Sequence, residues 1–437
     1  MDNQTLNGLL IGVGLLFLLA SGLWIFAAML VVSILGLFFL EGFTAMRIGN
    51  LLQPVLWRYA TSFELAALPL FVWMAEILFR TPMSEQIFRS LGPWMNRVPG
   101  QLLHVVVLAC GMFGTVCGSS AATCATISKI ALPELKKRGY EEKIVLGSLC
   151  AGGTLGILLP PSIPMVIYAV AAEVSLVKLM LAGFLPGLVL MILFSLYIVA
   201  VALIKPEIAP RTAEQTSFRE RVLLLKGLLP VSIFTGFIFV SLFAGWVTAT
   251  ECAAWGVVGA MIIWWHSGLF TWSKFLDSLS ATVSTSCMMI ILIASAGFVS
   301  SFMAITGIPS AVAGYVGNLG LSPFSLIAMI TVIYIVLGMF LDGVSMILLT
   351  LPLFLPIVVA AGFDPIWFGI FLVINIELAA LSPPVGFNLF VLNAITRRDI
   401  FYIAWASLPF FVLMLLALAM FTYFPQIVMV VPDWYAQ

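Results

Sequence analysis

The chain has 437 residues, of which 62% are hydrophobic and only 9% are charged, and its formal net charge is zero. Soluble domains carry about 25% charged residues, so this composition excludes an ordinary soluble protein. The balanced charge also leaves no basic surface for nucleic acid, and no nucleic acid is predicted as a partner. Because a membrane-spanning helix needs roughly 20 apolar residues, we predict an all-α polytopic protein of about eleven or twelve membrane segments.

The apolar stretches follow one another almost without interruption. In chain order they cover 8–20, 22–40, 62–79, 100–117, 121–134, 143–172, 176–204, 223–243, 249–266, 275–304, 322–340, 344–361, 364–395 and 400–425. The N-terminus, Met1-Asp2-Asn3-Gln4, carries no basic residue, so we expect the first run to be a retained helix and not a cleaved signal peptide. Small or helix-breaking residues interrupt four of the stretches, near 118–120, 153–161, 342–343 and 382–386.

Motifs for enzymatic chemistry are missing from the sequence. The chain has two histidines and six cysteines with no CxxC pair, and the cysteines are expected to be buried small side chains. It contains neither a P-loop nor a dinucleotide fingerprint, which argues against ATP hydrolysis and an organic cofactor. A membrane enzyme acting on lipid would need a cluster of His, Asp or Glu, so we predict no enzymatic activity.

The chain repeats itself at an offset of 223 residues. Five pairs of positions match at this offset: Pro133 and Pro356, Gly139 and Gly362, Tyr140 and Phe363, Pro160 and Pro383, and Pro161 and Pro384. The most polar stretch lies between the copies. We therefore predict a first repeat at 1–204, a cytoplasmic linker at 205–222 and a second repeat at 223–437.

The basic residues predict the orientation of both repeats. If the N-terminus is periplasmic and the breaks at 118–120 and 342–343 are the tips of re-entrant hairpins, sixteen of the nineteen Lys and Arg residues lie on the cytoplasmic side, as the positive-inside rule expects. The exceptions are Arg47, Arg58 and Lys178. The first hairpin then enters from the cytoplasm and the second from the periplasm. Inverted repeats with paired broken helices are typical of secondary transporters, whose sites lie near the membrane midplane.

The breaks are also the candidate binding segments. Unwound backbone survives at membrane depth only inside protein or beside a water-filled cavity. Its free carbonyls suit Na⁺, and the N–H groups at helix starts suit carboxylates. The residues predicted to bind Na⁺ or substrate are Gly118, Ser119, Ser120, Thr123, Gly153, Thr154, Gly156, Pro161, Asp342, Gly343, Ser345, Glu377, Ser382, Pro384, Gly386 and Asn388.

These candidates differ in how strongly they indicate binding. Asp342 and Glu377 are carboxylates at membrane depth, where a charge costs about 2.5–3.5 kcal/mol on insertion scales, and such residues are usually functional. For Gly152, Gly153 and Gly156, close packing of helices is an equally good interpretation. We predict one Na⁺ near Ser119, Ser120 and the 153–156 backbone, and a second near Asp342, Gly343 and 382–388, with substrate between them.

The segments around the breaks resemble a known family. Gly118-Ser119-Ser120-Ala121-Ala122-Thr123, the run from Ala151-Gly152-Gly153 to Pro160-Pro161-Ser162, Gly338-Met339-Phe340-Leu341-Asp342-Gly343 and Pro383-Pro384-Val385-Gly386-Phe387-Asn388 are similar to the large membrane subunit of tripartite ATP-independent periplasmic (TRAP) transporters. The likeness extends from about residue 62 to 425. Thr248-Ala249-Thr250-Glu251 and Ser382 depart from the Thr-Pro-Thr-Glu and Thr-Pro-Pro patterns of that family.

The resemblance implies a function that composition alone does not show. Members of this family are Na⁺-driven importers of small organic acids, including dicarboxylates, in the bacterial inner membrane. They work with a small four-helix membrane subunit and a periplasmic substrate-binding protein, and they move substrate by an elevator mechanism. The alternative is a standalone ion-coupled carrier of the divalent-anion or citrate type, which would need no binding protein.

Overall fold

The computed structural model describes residues 3–210, 217–318 and 320–435, and within these ranges the chain is all-α, with no strand. The helices are α1 Asn3–Ala20, α2 Ile25–Phe39, α3 Ala45–Ala60, α4 Ala67–Leu78, α5 Met83–Met95, α6 Leu102–Cys117, α7 Ser120–Lys137, α8 Glu142–Leu158, α9 Ile163–Ala171, α10 Leu176–Ile204, α11 Phe218–Leu224, α12 Leu229–Phe243, α13 Ala249–His266, α14 Trp272–Thr306, α15 Ile308–Asn318, α16 Pro323–Gly338, α17 Gly343–Ala360, α18 Pro365–Ala380, α19 Phe387–Thr396, α20 Ile400–Tyr423 and α21 Gln426–Tyr435. Short 3₁₀ turns cover Glu64–Ala66, Pro206–Ile208 and Leu225–Leu228.

Several helices are long and apolar enough to cross a membrane. Within the described residues there are five such spans, and six if the pair α8 and α9, bent by 42°, forms one broken span. The shorter apolar helices include α6, α16, α18 and α19. The protein is therefore a multi-pass membrane protein. The total of about eleven or twelve segments stays a prediction, since it counts the shorter helices as well.

Two helices, α8 and α18, form the centre of the molecule. Every residue of α8 from Ile144 to Leu158 is buried, and so is every residue of α18 from Trp367 to Ala380. The helix α8 packs against α6, α7 and α20, whereas α18 packs against α10, α16 and α17. Helices that are apolar around their whole circumference are expected at such positions, because they have no polar face to expose.

A smaller hydrophobic cluster lies beside this core. It joins α2 and α3 to the 35-residue helix α14 through Leu37, Phe43, Ile48, Phe298 and Phe302. The ring of Phe302 lies over Gly36, where an added Cβ would lie 2.4 Å from the ring. The first helices of the chain therefore pack on α14 through a core of their own.

Each half of the chain contributes a hairpin and a broken helix. The hairpins are α6–α7 and α16–α17, and the broken helices are α8–α9 and α18–α19. The bonds Pro160-Pro161 and Pro383-Pro384 are both cis. The order of these elements is the same in both halves. The inverted orientation and the repeat boundaries at 204 and 223 stay predictions, and part of the linker, 211–216, lies outside the described residues.

Candidate functional site

The two hairpin tips border one cavity of about 180 Å³. The first tip lies between the end of α6 at Cys117 and the start of α7 at Ser120, and the second lies between Gly338 of α16 and Gly343 of α17. The cavity is lined by Gly118, Ser119, Ser120, Ala121, Ile157, Ile163, Pro164, Met289, Gly338, Leu341, Asp342, Gly343, Val344, Ile376, Ala379, Ala380 and Phe387. Of the predicted site residues, Gly118, Ser119, Ser120, Asp342 and Gly343 belong to this lining.

Four helices begin at the cavity. The first residues of α7, α9, α17 and α19 are Ser120, Ile163, Gly343 and Phe387, and all four belong to the lining. The N–H groups of the first helical turn have no partner within the helix and carry partial positive charge. Four helix starts at one cavity therefore provide backbone N–H groups with partial positive charge around it.

The side-chain caps of these helix starts differ. Asp342 caps α17: its carboxylate accepts hydrogen bonds from the N–H groups of Val344 at 3.1 Å and Ser345 at 3.3 Å, and from the Ser345 hydroxyl. The N-cap residues of α7, α9 and α19 are Ser119, Ser162 and Gly386, and none of them makes a side-chain cap. The starts of these three helices are therefore the ones that can still bind an anion.

The C-terminal ends of two helices also border this cavity, and helix C-termini carry partial negative charge. The helices α8 and α18 end beside it, through Ile157 and Ala380. Because proline has no N–H, Pro160 cannot donate to the carbonyl of Gly156, and Pro384 cannot donate to that of Ala380. Both carbonyls therefore lack their ordinary helical donor, and a monovalent cation could use them as ligands. The Ser120 hydroxyl and the Asp342 carboxylate add oxygen atoms of the kind that hard cations prefer.

Asn388 lies behind the first hairpin tip and is fully buried. Its Oδ1 accepts a hydrogen bond of 3.0 Å from the hydroxyl of Ser120, and its Nδ2 donates one of 3.0 Å to the carbonyl of Cys150. In the same tip, the hydroxyl of Thr123 donates to the carbonyl of Ser119 at 2.8 Å. Asn388 and Thr123 therefore position the tip and do not belong to the cavity lining.

The glycines of α8 pack against the hairpin. A Cβ at Gly153 would lie 2.6 Å from Cys124 Cβ, and one at Gly156 would lie 2.8 Å from Thr123 Oγ1. The expectation that 153–156 is unwound is wrong, because α8 continues as a helix to Leu158 and the break lies at 159–162. These glycines let α8 touch the hairpin without unwinding. The helix ends further on, where the prolines at 160 and 161 have no backbone N–H to donate.

Other predicted residues hold the breaks in shape. Gly118 has φ +59, and a Cβ there would lie 3.1 Å from the carbonyl oxygen of Pro161. Gly386 is similarly close to the carbonyl oxygen of Ala380, at 2.7 Å for an added Cβ. Thr154 donates a hydrogen bond of 2.8 Å to the carbonyl of Ala151 in its own helix, and Ser382, just after the end of α18, donates one of 2.9 Å to the carbonyl of Leu378.

Glu377 is the exception among the predicted residues. It is fully buried within α18, and among the residues that the structure describes neither of its carboxylate oxygens has a hydrogen-bond partner. Its neighbour Ile376 lines the cavity, but Glu377 does not belong to the lining. A buried carboxylate without a partner is costly, so this position calls for a bound cation or a proton.

Sequence reasoning missed most of the apolar lining. Ile157, Ile376 and Ala379 lie in helices whose apolar pattern resembles that of any buried helix, and Met289 comes from α14, far from every break. Gly338 could have been found, because a Gly-Met-Phe motif occurs in both halves. A Cβ there would lie 2.1 Å from Ala379 Cβ, so Gly338 lets α16 approach α18.

Comparison with known proteins identifies the family. The family model described as "Tripartite ATP-independent periplasmic transporter, DctM component" matches residues 13–427. A C4-dicarboxylate TRAP transporter large permease protein of Pseudomonas aeruginosa is 32% identical over 87% of this chain and 88% of its own length. The sialic acid TRAP transporter large permease protein of Vibrio cholerae is 26% identical over 85% of this chain and 87% of its own length.

The chain is also similar to a longer relative and to two solved structures. The isethionate TRAP transporter permease protein DctMQ of Oleidesulfovibrio alaskensis is 28% identical over 84% of this chain but only 58% of its own length. The YdaH transporter of Alcanivorax borkumensis has a similar fold, with a TM-score of 0.65 at 14% identity over 88% of this chain and 90% of its own. The Neisseria gonorrhoeae MtrF structure has a TM-score of 0.51 at 13% identity over 86% of this chain and 83% of its own.

The family match covers nearly the whole chain, including both hairpins and both broken helices. The Pseudomonas aeruginosa and Vibrio cholerae relatives align over 87% and 85% of this chain and over 88% and 87% of their own lengths. The chain belongs to the DctM component family of tripartite ATP-independent periplasmic transporters, whose members are the large permease subunits of these systems.

Proposed function

We propose that this large permease subunit imports a small carboxylate across the bacterial inner membrane together with Na⁺. A periplasmic substrate-binding protein delivers the substrate, and a separate small four-helix subunit completes the membrane part. Relatives named for C4-dicarboxylate, sialic acid and isethionate support a small organic acid as the substrate class. The relative named DctMQ, which extends well beyond this chain, supports the second membrane component.

The observation that carries the proposal is the charge pattern around the cavity. Three helix starts, at Ser120, Ile163 and Phe387, border it without a side-chain cap. Within the described residues, its lining contains no Lys or Arg. A carboxylate would therefore be neutralised by backbone N–H groups and by bound Na⁺ instead of by a basic side chain.

Two Na⁺ positions fit the oxygen atoms of the site. The first lies near Ser119, Ser120 and the carbonyl of Gly156, which lacks its helical donor because of Pro160. The second lies near Asp342, Gly343 and the carbonyl of Ala380, at the end of the other central helix. The substrate carboxylate would lie between them, against the starts of α7, α9 and α19. Neither position requires a cluster of acidic side chains.

Ion coupling is energetically sufficient for import. At about −100 mV, each Na⁺ that moves inward gains about 2.3 kcal/mol, and each negative charge on the substrate loses the same amount. A tenfold Na⁺ gradient adds about 1.4 kcal/mol per ion. An anion must therefore travel with at least as many Na⁺ as it has charges, and with one more if the membrane potential is to drive uptake.

The movement that we propose is of the elevator type. The hairpins α6–α7 and α16–α17 and the broken helices α8–α9 and α18–α19 surround the cavity and would move together. The first helices and α14 would form the stationary part, because α2 and α3 share a separate hydrophobic cluster with α14. Met289 of α14 also lines the cavity, so this movement would change its distance from the hairpin tips.

Uptake into proteoliposomes tests the proposal. The chain would be reconstituted with its small subunit, with and without a Na⁺ gradient and with and without the binding protein. We expect uptake only when the Na⁺ gradient and the binding protein are both present. Uptake that needs an ion gradient but no binding protein would favour the standalone ion-coupled carrier of the divalent-anion or citrate type.

Two variants test the placement of the ions. Ser120→Leu and Asp342→Leu each introduce an apolar side chain at one proposed Na⁺ position. We expect both variants to lose Na⁺-dependent uptake. If neither variant loses it, the placement is wrong even if the transport function is right.

A further inference from the structure

We infer that a second cavity, at the basic end of the first hairpin, binds the headgroup of an anionic phospholipid. This cavity has a volume of about 600 Å³ and lies between α7, the start of α8 and the connection from α19 to α20. Its lining includes four charged residues, which are Lys129, Lys136, Glu142 and Arg398. The residues that line it differ completely from those that line the transport cavity.

The charge of this cavity favours an anion. Arg398 forms a two-point ion pair with Glu142, at 2.8 Å from Nε to Oε1 and 2.7 Å from Nη2 to Oε2, so these two charges cancel. Lys129 and Lys136 also line the cavity and are exposed. In the part of the chain that the structure describes, neither lysine forms an ion pair with a carboxylate. Two positive charges therefore remain for a ligand.

The walls favour an amphiphilic ligand over a soluble anion. Leu132, Val145 and Ile395 give the cavity apolar surface next to the two lysines. A phosphate or a free carboxylate would gain nothing from this surface, whereas the glycerol and upper acyl chains of a lipid would cover it. Basic pockets between membrane helices are known to bind anionic headgroups for this reason.

The cavity also lies beside features that are typical of the membrane–water interface, where lipid headgroups are found. The helix α20 begins next to Arg398, and its first turns expose Phe401, Tyr402 and Trp405, with Trp405 65% exposed. The guanidinium of Arg398 lies 5.9 Å from the centre of the Tyr402 ring. Exposed aromatic side chains at a helix end mark the membrane–water interface. The lysines and the aromatic residues thus lie together where lipid headgroups are found.

A bound lipid at this place would contact both halves of the chain. Lys129 and Lys136 belong to α7, the second arm of the first hairpin, while Thr396 and Arg398 follow α19 of the second half. The opposite ends of α7 and α19 are joined at the transport site by Ser120 and Asn388. The headgroup would therefore connect the basic ends of two helices that are also connected at the site.

Native mass spectrometry of the purified full-length chain tests this inference. The protein would be titrated with phosphatidylglycerol and, separately, with phosphatidylethanolamine of the same acyl chains. We expect preferential binding of phosphatidylglycerol, and a loss of affinity of about thirtyfold in the double variant Lys129→Gln/Lys136→Gln. The charge-preserving variant Lys129→Arg/Lys136→Arg should retain binding.

The control variant removes two lysine charges close to the cavity but outside its lining. Lys137 and Lys143 lie at the same end of the molecule but do not line the cavity, so Lys137→Gln/Lys143→Gln should bind phosphatidylglycerol like the unmodified chain. Equal binding of both lipids, or equal weakening by both double variants, would overturn the inference. So would displacement of the lipid by millimolar inorganic phosphate or succinate, which would identify a site for soluble anions.

Discussion

Ser120 and Asn388 are joined by a hydrogen bond of 3.0 Å although they lie 268 residues apart in the sequence. Ser120 begins the second arm of the first hairpin, and Asn388 lies in the first turn of α19. The same amide also donates to the carbonyl of Cys150 in α8. One buried side chain therefore connects three helices from both halves of the chain, directly behind the cavity that the two hairpin tips border.

Replacing Asn388 with alanine should loosen this connection. The substitution removes two hydrogen bonds, one with the Ser120 hydroxyl and one with the Cys150 carbonyl, and a typical intramolecular hydrogen bond contributes about 0.5–1.5 kcal/mol. We expect Asn388→Ala to lower the midpoint of thermal unfolding in detergent and to reduce Na⁺-dependent uptake. The control is Asn393→Ala on the same helix, since Asn393 donates to the carbonyl of Arg398 and is not buried. Equal effects of both variants would contradict a special role for Asn388.

Gly114 should tolerate no larger side chain. A Cβ at this position would lie 2.4 Å from the Cα of Gly156, so the backbones of α6 and α8 are in direct contact. Backbone cannot move aside as a flexible side chain can, and overpacking of this kind costs about 1–3 kcal/mol. We expect Gly114→Ala to lower the thermal unfolding midpoint and to shift the hairpin tip away from α8.

Gly236 provides the matched control for Gly114. It also lies within an apolar helix, α12, but an added Cβ there would meet no atom within 4 Å. Alanine is a better helix former than glycine by up to about 1 kcal/mol. Gly236→Ala should therefore unfold at the same temperature as the unmodified chain or at a higher one. A destabilised Gly236→Ala would show that loss of glycine itself, and not contact with α8, explains the first result.

The sequence was informative where chemistry departs from an apolar helix. The hairpin tips at Gly118–Ser120 and Asp342-Gly343 could be predicted because glycine, hydroxyl and carboxylate residues interrupt long apolar runs. The prolines likewise predicted the breaks in α8 and α18. The glycines of α8 show where prediction from the sequence fails, because glycine allows either unwinding or close packing of a helix. Only the contact of Gly156 with Gly114 and Thr123 shows that they serve packing here.

Long-range partners could not be predicted in the same way. Nothing local distinguishes Met289 from the other apolar residues of α14, yet it lines the cavity. The pairing of Ser120 with Asn388 depends on how α7 and α19 meet, which one sequence does not reveal. The proposed inverted symmetry would relate the two hairpins to each other, but it would not specify which side chains touch between them.

Asp342 allows the effects of a helix cap and of a charge to be separated. Its carboxylate caps α17, and asparagine caps a helix start about as well as aspartate does. We expect Asp342→Asn to keep the unfolding midpoint of the unmodified chain but to require a higher Na⁺ concentration for half-maximal uptake. Asp342→Ala should unfold at a lower temperature and should also require a higher Na⁺ concentration. The missing cap should cost about 0.5–2 kcal/mol of stability. An unchanged Na⁺ response in Asp342→Asn would show that Asp342 serves only as a cap.

Glu377 is buried in α18, and within the described parts of the chain neither of its carboxylate oxygens has a hydrogen-bond partner. Neutral variants at this position test whether the carboxylate holds a cation. Glutamine has nearly the same shape and carries no charge, so Glu377→Gln should fold as well as the unmodified chain, or better, because a buried charge is costly. We expect its Na⁺ concentration for half-maximal uptake to rise about tenfold, which corresponds to about 1.4 kcal/mol of lost binding. Glu377→Leu, as a second neutral variant, should show the same Na⁺ response if charge alone matters. Unchanged Na⁺ dependence in both variants would place Glu377 outside the ion site, and its carboxyl group would then have to be buried as the neutral acid.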